Sequence, residues 1–455
     1  MLIGLEERST MSTTRTLAEY ICTSNAATLP ADSLEMAANC ILDALTAAVA
    51  GHEEPSVVST RTATRSLYGA GQVPVWFTGT SSTAAGAILS NSSAASVLDL
   101  DDGHWEARGH PGAAVIPTIL AVAAETGVSA EELLIAIVLG YEVGVRIKSA
   151  RTHGPSGVWT GFAVAAAAGK LRRLTPAALS NAIALAGGFS PNLIVGDYTA
   201  FSGSDIKEGI PWSATTAYQA LLLAEHGFTA CEDIFDHKAY YDAERILAGL
   251  GQEAPRICET YFKPYAVCRH IHGPLRALEK LIMDHELRPD TIEKIDVHTF
   301  DFALALPNKT KPETLTDIQY SIPYSLAIAS ICGGNALLPI DASLLNRADI
   351  SELAERITVR PDPEFSRLFP RSRLARVEIT SGGRKISSPV TEPHGGPTSP
   401  MSLQELEEKF RFATRRLMSR DAQQQVIDAV SQLRRGDSGP LLTLLRCEML
   451  PAAAV

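Results

Sequence analysis

Residues 161–171 read GFAVAAAAGKL, and this segment is apolar on almost every side. A helix at the surface of a soluble protein has one polar face, so a helix of this composition must be buried on most of its sides. Its alanines and glycines allow neighbouring helices to approach closely. The same Ala-rich helical periodicity recurs at about 33–51, 83–101, 113–126, 129–150, 157–171, 176–187 and 212–226. The pattern predicts one large helical domain.

The periodicity changes near residue 263, after which short segments alternate in the manner of β-strands. Residues 292–300, IEKIDVHTF, are one such segment, and residues 355–362, ERITVRPD, contain another. Residues 375–390, ARVEITSGGRKISSPV, predict two strands joined by a Gly-Gly turn. Helical periodicity persists between them around 321–333. This part of the chain therefore predicts a smaller α+β domain.

Helical character returns after a Pro- and Gly-rich segment at residues 391–400. Ser402 and Glu405 have the spacing of a capping box, which predicts a helix that begins there. The predicted fold class is mainly α with a smaller α+β domain. We expect residues 1–262 and 402–455 to form the all-helical domain and residues 263–401 to form the α+β domain.

The composition of the 455 residues excludes several function classes. Net charge is −11, and Lys and Arg are scattered, so we expect no nucleic-acid partner. The sequence shows no uncharged apolar run long enough to span a membrane. Its N-terminus lacks the basic region followed by an apolar core that is typical of a signal peptide. We therefore expect a cytoplasmic protein without membrane contact. The seven cysteines include no C-x-x-C pair, which favours reduced thiols and disfavours an iron–sulfur cluster.

The most concentrated group of charges lies at residues 98–112, LDLDDGHWEARGHPG, between two Ala-rich segments. A solvated loop is the simplest explanation. The alternative is an active-site loop, because carboxylates and imidazoles near a basic side chain are the groups that move protons next to a substrate carboxylate.

Several segments in this order resemble the MmgE/PrpD superfamily. The resemblance covers nearly the whole chain and rests on residues 41–51, 98–121, 140–147, 262–278, 320–327 and 394–410. It implies a large all-helical domain completed by C-terminal helices, a smaller α+β lid, and a homodimer with its active site between the domains. Members include 2-methylcitrate dehydratase, cis-aconitate decarboxylase and iminodisuccinate epimerase. The resemblance therefore implies reactions beside a carboxylate of a small di- or tricarboxylate, without a cofactor.

The resemblance also implies a set of catalytic residues. His110 matches the family's active-site histidine, and a loop histidine bonded to backbone is its structural alternative. Asp99 matches the pocket carboxylate that orients a neighbouring side chain, while Asp101 and Asp102 are expected to cap or brace the loop. The other predicted catalytic residues, each with a structural alternative, are Lys207, His153 and Tyr324.

A second set is predicted to bind the substrate. Lys263, Arg269 and His272 lie in residues 263–273, KPYAVCRHIHG, where a lid would place cationic groups over an anion. His270 and His272 alone do not predict a metal site, because a third and fourth ligand are missing. Gly103 and His104 complete the predicted set. The family's decarboxylases carry Thr where Gly103 stands, which weakens a direct transfer of decarboxylase activity.

These observations predict a cofactor-independent lyase, with dehydration of a hydroxylated di- or tricarboxylate as the default reaction. An epimerase or a decarboxylase would use similar groups, and a carboxylate-binding protein without turnover is a further alternative. Glu142 and Arg146, four residues apart on a helix, are expected to form a structural ion pair, with Tyr141 a weak pocket candidate.

Overall fold

The computed structural model describes residues 11–152, 159–191 and 209–450. Helices dominate the first part of the chain, as the Ala-rich periodicity predicts. The helices are α1 (Thr13–Thr23), α2 (Ala31–Ala50), α3 (Pro55–Tyr68), α4 (Ala84–Ser96), α5 (Gly112–Thr126), α6 (Ala130–Ser149), α7 (Thr160–Leu171), α8 (Pro176–Gly188), α9 (Ile210–Glu225) and α10 (Ala243–Leu247). The predicted fold class, mainly α with a smaller α+β domain, is confirmed.

Close packing of α6 against α7 explains the small residues of both helices. A Cβ atom added at Gly140 would lie 2.8 Å from the Cβ of Ala167, and one at Gly144 would lie 2.5 Å from that of Ala163. Larger side chains would hold the two helix axes apart. The glycines of α6 and the alanines of α7 therefore set the helix spacing behind the predicted site.

Two short antiparallel strand pairs lie in the helical region, one local in sequence and one joining distant segments. Strands β1 (Val73–Val75) and β2 (Thr80–Ser82) form one antiparallel pair. Strands β3 (Gly103–His104) and β4 (Thr260–Tyr261) form another, in which Gly103 is opposite Tyr261. This second pair brings the charged loop against the segment that leads into Lys263.

The α+β region contains the predicted strands as one four-stranded sheet. Strands β5 (Ile292–Thr299), β6 (Ile357–Pro361), β7 (Ala375–Ser381) and β8 (Arg384–Ser387) are ordered β6-β5-β7-β8, and only β5 and β6 are parallel. Gly382 and Gly383 have φ values of 57° and 71°, which explains the Gly-Gly turn between β7 and β8. The accompanying helices are α11 (Arg269–His285), α12 (Leu315–Gln319), α13 (Ile322–Cys332), α14 (Ala348–Ala354) and α15 (Pro363–Leu368).

The C-terminal helices are α16 (Leu403–Thr414), α17 (Arg420–Arg434) and α18 (Gly439–Leu444). The capping box predicted from Ser402 and Glu405 is present at the start of α16. α16 packs on α2, and Nζ of Lys409 lies 2.5 Å from Oδ1 of Asp43 in a buried ion pair. The C-terminal helices thus return to the helical region.

Two hydrophobic clusters lie in the described part of the chain. The first takes its buried members from residues 17–262 and 406–450, and the second takes most of its members from residues 266–379. The domain boundaries at 263 and 401 stay a prediction. Within the described ranges, α2 is the one helix long and apolar enough to cross a membrane by composition, and 78% of its most apolar window is buried in the protein, as in a core helix.

One predicted helix is too long. The segment expected to be helical to about residue 101 ends as a helix at Ser96. Asp99 has a φ of +53°, a left-handed conformation that an α-helix cannot contain. The chain therefore turns before the carboxylates, which places them in a loop instead of on a helix face.

Candidate active site

Most of the charged loop at residues 98–112 is buried, including its three aspartates and both histidines, so the solvated-loop explanation is wrong. Asp99, Asp101 and Asp102 are each 1% exposed and His110 is 8% exposed. Burying carboxylates is unfavourable unless each one is paired or hydrogen-bonded. The contacts of these four side chains therefore define the site.

Lys263 provides the positive charge in the centre of this cluster. Its Nζ lies 3.0 Å from Oδ1 of Asp99 and 3.9 Å from Oδ1 of Asp101, and its side chain is fully buried. Burial by itself lowers the pKa of Lys263, but the attraction of the two carboxylates outweighs burial and raises the pKa. The ammonium group is therefore fully charged at neutral pH.

His110 lies beside the same carboxylates. Its Nδ1 is 2.6 Å from the carbonyl oxygen of Asp102, which assigns the Nδ1 hydrogen to that bond. Its Nε2 lies 3.4 Å from Oδ1 of Asp99, while Nδ1 lies 3.8 Å from Oδ2 of Asp101. The backbone bond fixes the imidazole orientation and leaves Nε2 as the ring atom for proton transfer.

Asp102 braces the loop from behind, as the sequence predicts. Its Oδ2 accepts a 2.5 Å bond from the Tyr141 hydroxyl, and its Oδ1 accepts a 2.9 Å bond from the Gly112 N–H at the start of α5. Burial, with repulsion from Asp43 and Asp101, raises the pKa of Asp102 to about 7. Tyr141 therefore supports the loop through Asp102.

A second lysine anchors the loop from the C-terminal helices. Nζ of Lys409 donates to the Leu100 carbonyl at 3.0 Å as well as to Asp43. Burial lowers the pKa of Lys409, and Asp43 opposes that effect. Through Lys409, α16 therefore anchors the loop at Leu100, which lies in sequence between the two aspartates that face Lys263.

Asp99, Asp101 and His110 present ligand atoms within 4.8 Å of one another, a spacing that a metal ion could use. The Lys263 ammonium already contacts both carboxylates and balances one of their two negative charges. A divalent cation at the same point would meet this fixed positive charge. The donor set is therefore a poor fit for a metal ion.

His104 and Gly103, both predicted to bind the substrate, have structural contacts in the described residues, and their part in substrate binding stays a prediction. His104 is fully buried, its Nε2 bonds the Arg256 carbonyl at 3.1 Å, and its Nδ1 accepts from the Ala107 N–H at 3.4 Å. Burial lowers the pKa of His104 to about 3, so the ring stays neutral. A Cβ added at Gly103 would lie 2.4 Å from the Tyr261 ring. Gly103 therefore makes room for Tyr261.

Arg269 and the two neighbouring histidines take separate environments. Arg269 donates to the carbonyls of His394 at 2.6 Å and Pro393 at 3.4 Å. His272 bonds the Val267 carbonyl at 3.0 Å, whereas His270 packs edge-on against Phe300. Burial lowers the pKa of both histidines. The two imidazoles of the His-x-His motif thus have different partners, and the expected absence of a metal there stays a prediction.

The remaining predicted catalytic residues are not joined to the cluster by a described contact. Tyr324 is fully buried, and its hydroxyl donates to the Leu344 carbonyl at 2.6 Å. Its catalytic role stays a prediction beside this structural one. His153 and Lys207 lie outside the described residues. The predicted ion pair of Glu142 and Arg146 is present and buried, at 2.5 Å.

Comparison with known families agrees with this layout. The model of the MmgE/PrpD N-terminal domain matches residues 15–243, and the model of the C-terminal domain matches residues 265–435. The chain belongs to the MmgE/PrpD family. In this MmgE/PrpD protein, Asp99 and His110 lie in the first matched domain, whereas Lys263 lies in the segment between the two matches.

Relatives of this MmgE/PrpD protein extend along most of the chain. A cis-aconitate decarboxylase from Aspergillus terreus (strain NIH 2624 / FGSC A1156) is 27% identical over 93% of this chain and 94% of the relative. The cis-aconitate decarboxylase of Homo sapiens is 25% identical over 78% of each chain. That of Mus musculus is 25% identical over 79% of this chain and 78% of the relative.

Proposed function

We propose that this protein is a lyase that acts on a small di- or tricarboxylic acid without a cofactor. The observation that carries the proposal is the buried cluster in which Nζ of Lys263 and Nε2 of His110 approach the same oxygen of Asp99. Membership of the MmgE/PrpD family and the decarboxylase names of the relatives support a reaction beside a carboxylate.

Each side chain of the cluster has one part in the proposed reaction. Breaking a bond beside a carboxylate leaves negative charge on the adjacent carbon and carboxylate, and Lys263 stabilises that charge at close range. Nε2 of His110 accepts or returns the proton. Asp99 orients Lys263 and His110. We propose Lys207 and His153 as further contacts to the substrate, as the family resemblance implies.

Two lyase reactions are candidates, and each has its own support. The relatives are named cis-aconitate decarboxylases, which favours loss of CO₂ from a cis-aconitate-like acid. Gly103 replaces the Thr of the family's decarboxylases, and Tyr261 fills the space beside it, which favours dehydration of a hydroxy acid such as 2-methylcitrate. The cluster serves both reactions. Decarboxylation needs charge stabilisation and one proton delivered to carbon, whereas dehydration needs a proton removed from carbon and one delivered to the departing hydroxyl, which His110 can accept and then return.

Proton NMR of the purified protein in D₂O tests the proposal. The substrates are cis-aconitate, citrate, 2-methylcitrate and an aspartate-like dicarboxylate, each incubated with and without EDTA. Loss of CO₂ or water from one of them, undiminished by EDTA, is the expected result. Deuterium uptake into an unchanged skeleton would assign an epimerase instead. No turnover of any acid, with binding retained, would assign a carboxylate-binding protein.

We also propose that the protein is a homodimer, as the family resemblance implies, and that it is cytoplasmic, as the sequence pattern predicts. Light scattering of the purified chain should then give about twice the 48.6 kDa of one chain. A mass of one chain would contradict the dimer.

A further inference from the structure

A cavity of about 390 Å³ opens to solvent beside Tyr261, next to the Lys263 cluster. Three arginines line it: Arg269, Arg371 and Arg373. They come from the start of α11 and from the segment that leads into β7. The cavity has the volume of a small-molecule site. The sequence predicted one of these arginines as a substrate contact and missed the other two.

Two of the arginines are buried without a carboxylate partner. Arg269 and Arg373 are each 6% exposed, and neither forms an ion pair within the described ranges. Arg373 donates to the carbonyls of Pro370 and Trp105, and its buried Nε has no hydrogen-bond partner in the described part of the chain. Burying a charge without a counter-charge is strongly unfavourable. Two such charges at the wall of one cavity favour the binding of an anion there.

Both buried guanidinium groups lie against one aromatic ring. The Cζ atoms of Arg269 and Arg373 are 4.5 Å and 5.8 Å from the centre of the Tyr261 ring. Burial, and then repulsion from Arg373, lowers the pKa of Arg269 to about 9, although Tyr261 opposes this effect. The ring offsets part of the repulsion between the two cations. An anion in the cavity would offset the rest.

The acidic side chains of the cavity are bonded to neutral donors. Oε2 of Glu259 accepts from the Trp105 indole at 3.0 Å, and Oε2 of Glu392 accepts from the Thr398 hydroxyl at 2.9 Å. Glu392 raises the pKa values of Arg269 and Arg373, but only as one of their weaker influences. With three arginines against these two carboxylates, the cavity keeps a net positive charge.

We propose that this cavity is a binding site for a carboxylate group of a small organic acid. Arginine is suited to it, because a planar guanidinium group pairs with a carboxylate through two parallel hydrogen bonds. Tyr261 lines the cavity and is two residues from Lys263, and the charges of Lys263 and Asp99 both act on its hydroxyl. The carboxylate belongs either to the far end of a reacting acid or to a separate acid that occupies the cavity alone.

Calorimetric titration with tricarballylate tests this site without requiring turnover, so it can fail independently of the proposed function. Tricarballylate has three carboxylates and no hydroxyl to eliminate. R371A removes an exposed arginine, and R373K keeps the charge but loses the planar pairing. The matched control is R384A, an exposed arginine on β8 of the same sheet. Melting temperatures of all variants establish that each one is folded.

We expect R371A and R373K to weaken tricarballylate binding by about tenfold or more, the effect of one hydrogen bond to a charged group, with R384A unchanged. If H110Q weakens binding as well, the carboxylate belongs to an acid that reaches both sites. If H110Q leaves binding unchanged, a separate acid occupies the cavity. Equal affinities for wild type, R371A and R373K, or no binding to the wild-type protein at millimolar concentration, would overturn the proposal.

Discussion

Nζ of Lys263 lies 3.0 Å from Oδ1 of Asp99, although 164 positions separate the two residues in the sequence. The contact joins the loop after α4 to the segment before α11. Both side chains are buried, so the pair also links the folding of the helical region to that of the α+β region. Stability and reactivity at this site therefore depend on the same atoms.

Replacing Lys263 by Met should destabilise the protein strongly. Asp99 and Asp101 would stay buried without their shared cation, and loss of one partner of a buried ion pair costs about 3–5 kcal/mol. Urea unfolding measures the difference. The double variant K263M/D99N removes one of the stranded carboxylates and should recover part of the loss. Equal stability of K263M and wild type would contradict this account of the pair.

Replacing Gly103 by Ala should lower the melting temperature. The added Cβ would lie 2.4 Å from the Tyr261 ring, and overpacking of this kind costs about 1–3 kcal/mol. Gly188, at the end of α8, is the matched control, because nothing lies within 4 Å of a Cβ there. G188A should melt at or above the wild-type temperature. A G103A variant as stable as wild type would show that Tyr261 does not need this glycine.

Because the pKa of Asp102 is raised, the free energy of unfolding should fall as pH rises from about 4 to about 7. Its pKa is raised from 3.8 to about 7 on folding, so the folded chain binds this proton more tightly than the unfolded chain. The stabilisation is present below the unfolded pKa and is lost as pH rises through the folded pKa, by up to about 4 kcal/mol. D102N removes the titration, so its melting temperature relative to wild type should increase between pH 5 and pH 8. If the melting temperatures of D102N and wild type change with pH in parallel, the pKa of Asp102 is not raised on folding.

Replacing Tyr324 by Phe distinguishes a structural from a catalytic role of its hydroxyl. If the hydroxyl serves only its bond to the Leu344 carbonyl, Y324F should lose about 1 kcal/mol of stability and keep its kcat. A large drop in kcat with little loss of stability would support the catalytic prediction instead. Steady-state kinetics together with urea unfolding give both quantities.

Much of the fold could be predicted because its signals are local. The capping box of Ser402 and Glu405, the Gly-Gly turn at Gly382 and the alternation along β5 each lie within a few residues. Buried Ala-rich helices likewise follow from composition in one segment. The end of α4 could not be predicted, because the left-handed turn at Asp99 is stabilised by contacts with residues far along the chain.

The candidate site was predictable only in part for the same reason. Asp99, His110 and Lys263 follow from the family resemblance, but their mutual contacts depend on tertiary structure. Nothing in the sequence marks Arg373 as buried or places it over the ring of Tyr261. Side chains on different helices or strands form one site only because tertiary packing brings them close together.

The most direct test of the central claim compares H110Q with H285Q in the NMR assay. Gln at position 110 keeps hydrogen-bonding capacity but cannot transfer a proton, whereas His285 is an exposed histidine at the end of α11. We predict that H110Q lowers the rate of product formation at saturating substrate by about 100-fold or more, and that H285Q reacts at the wild-type rate. Turnover by H110Q at the wild-type rate would contradict the assignment of this cluster as the active site.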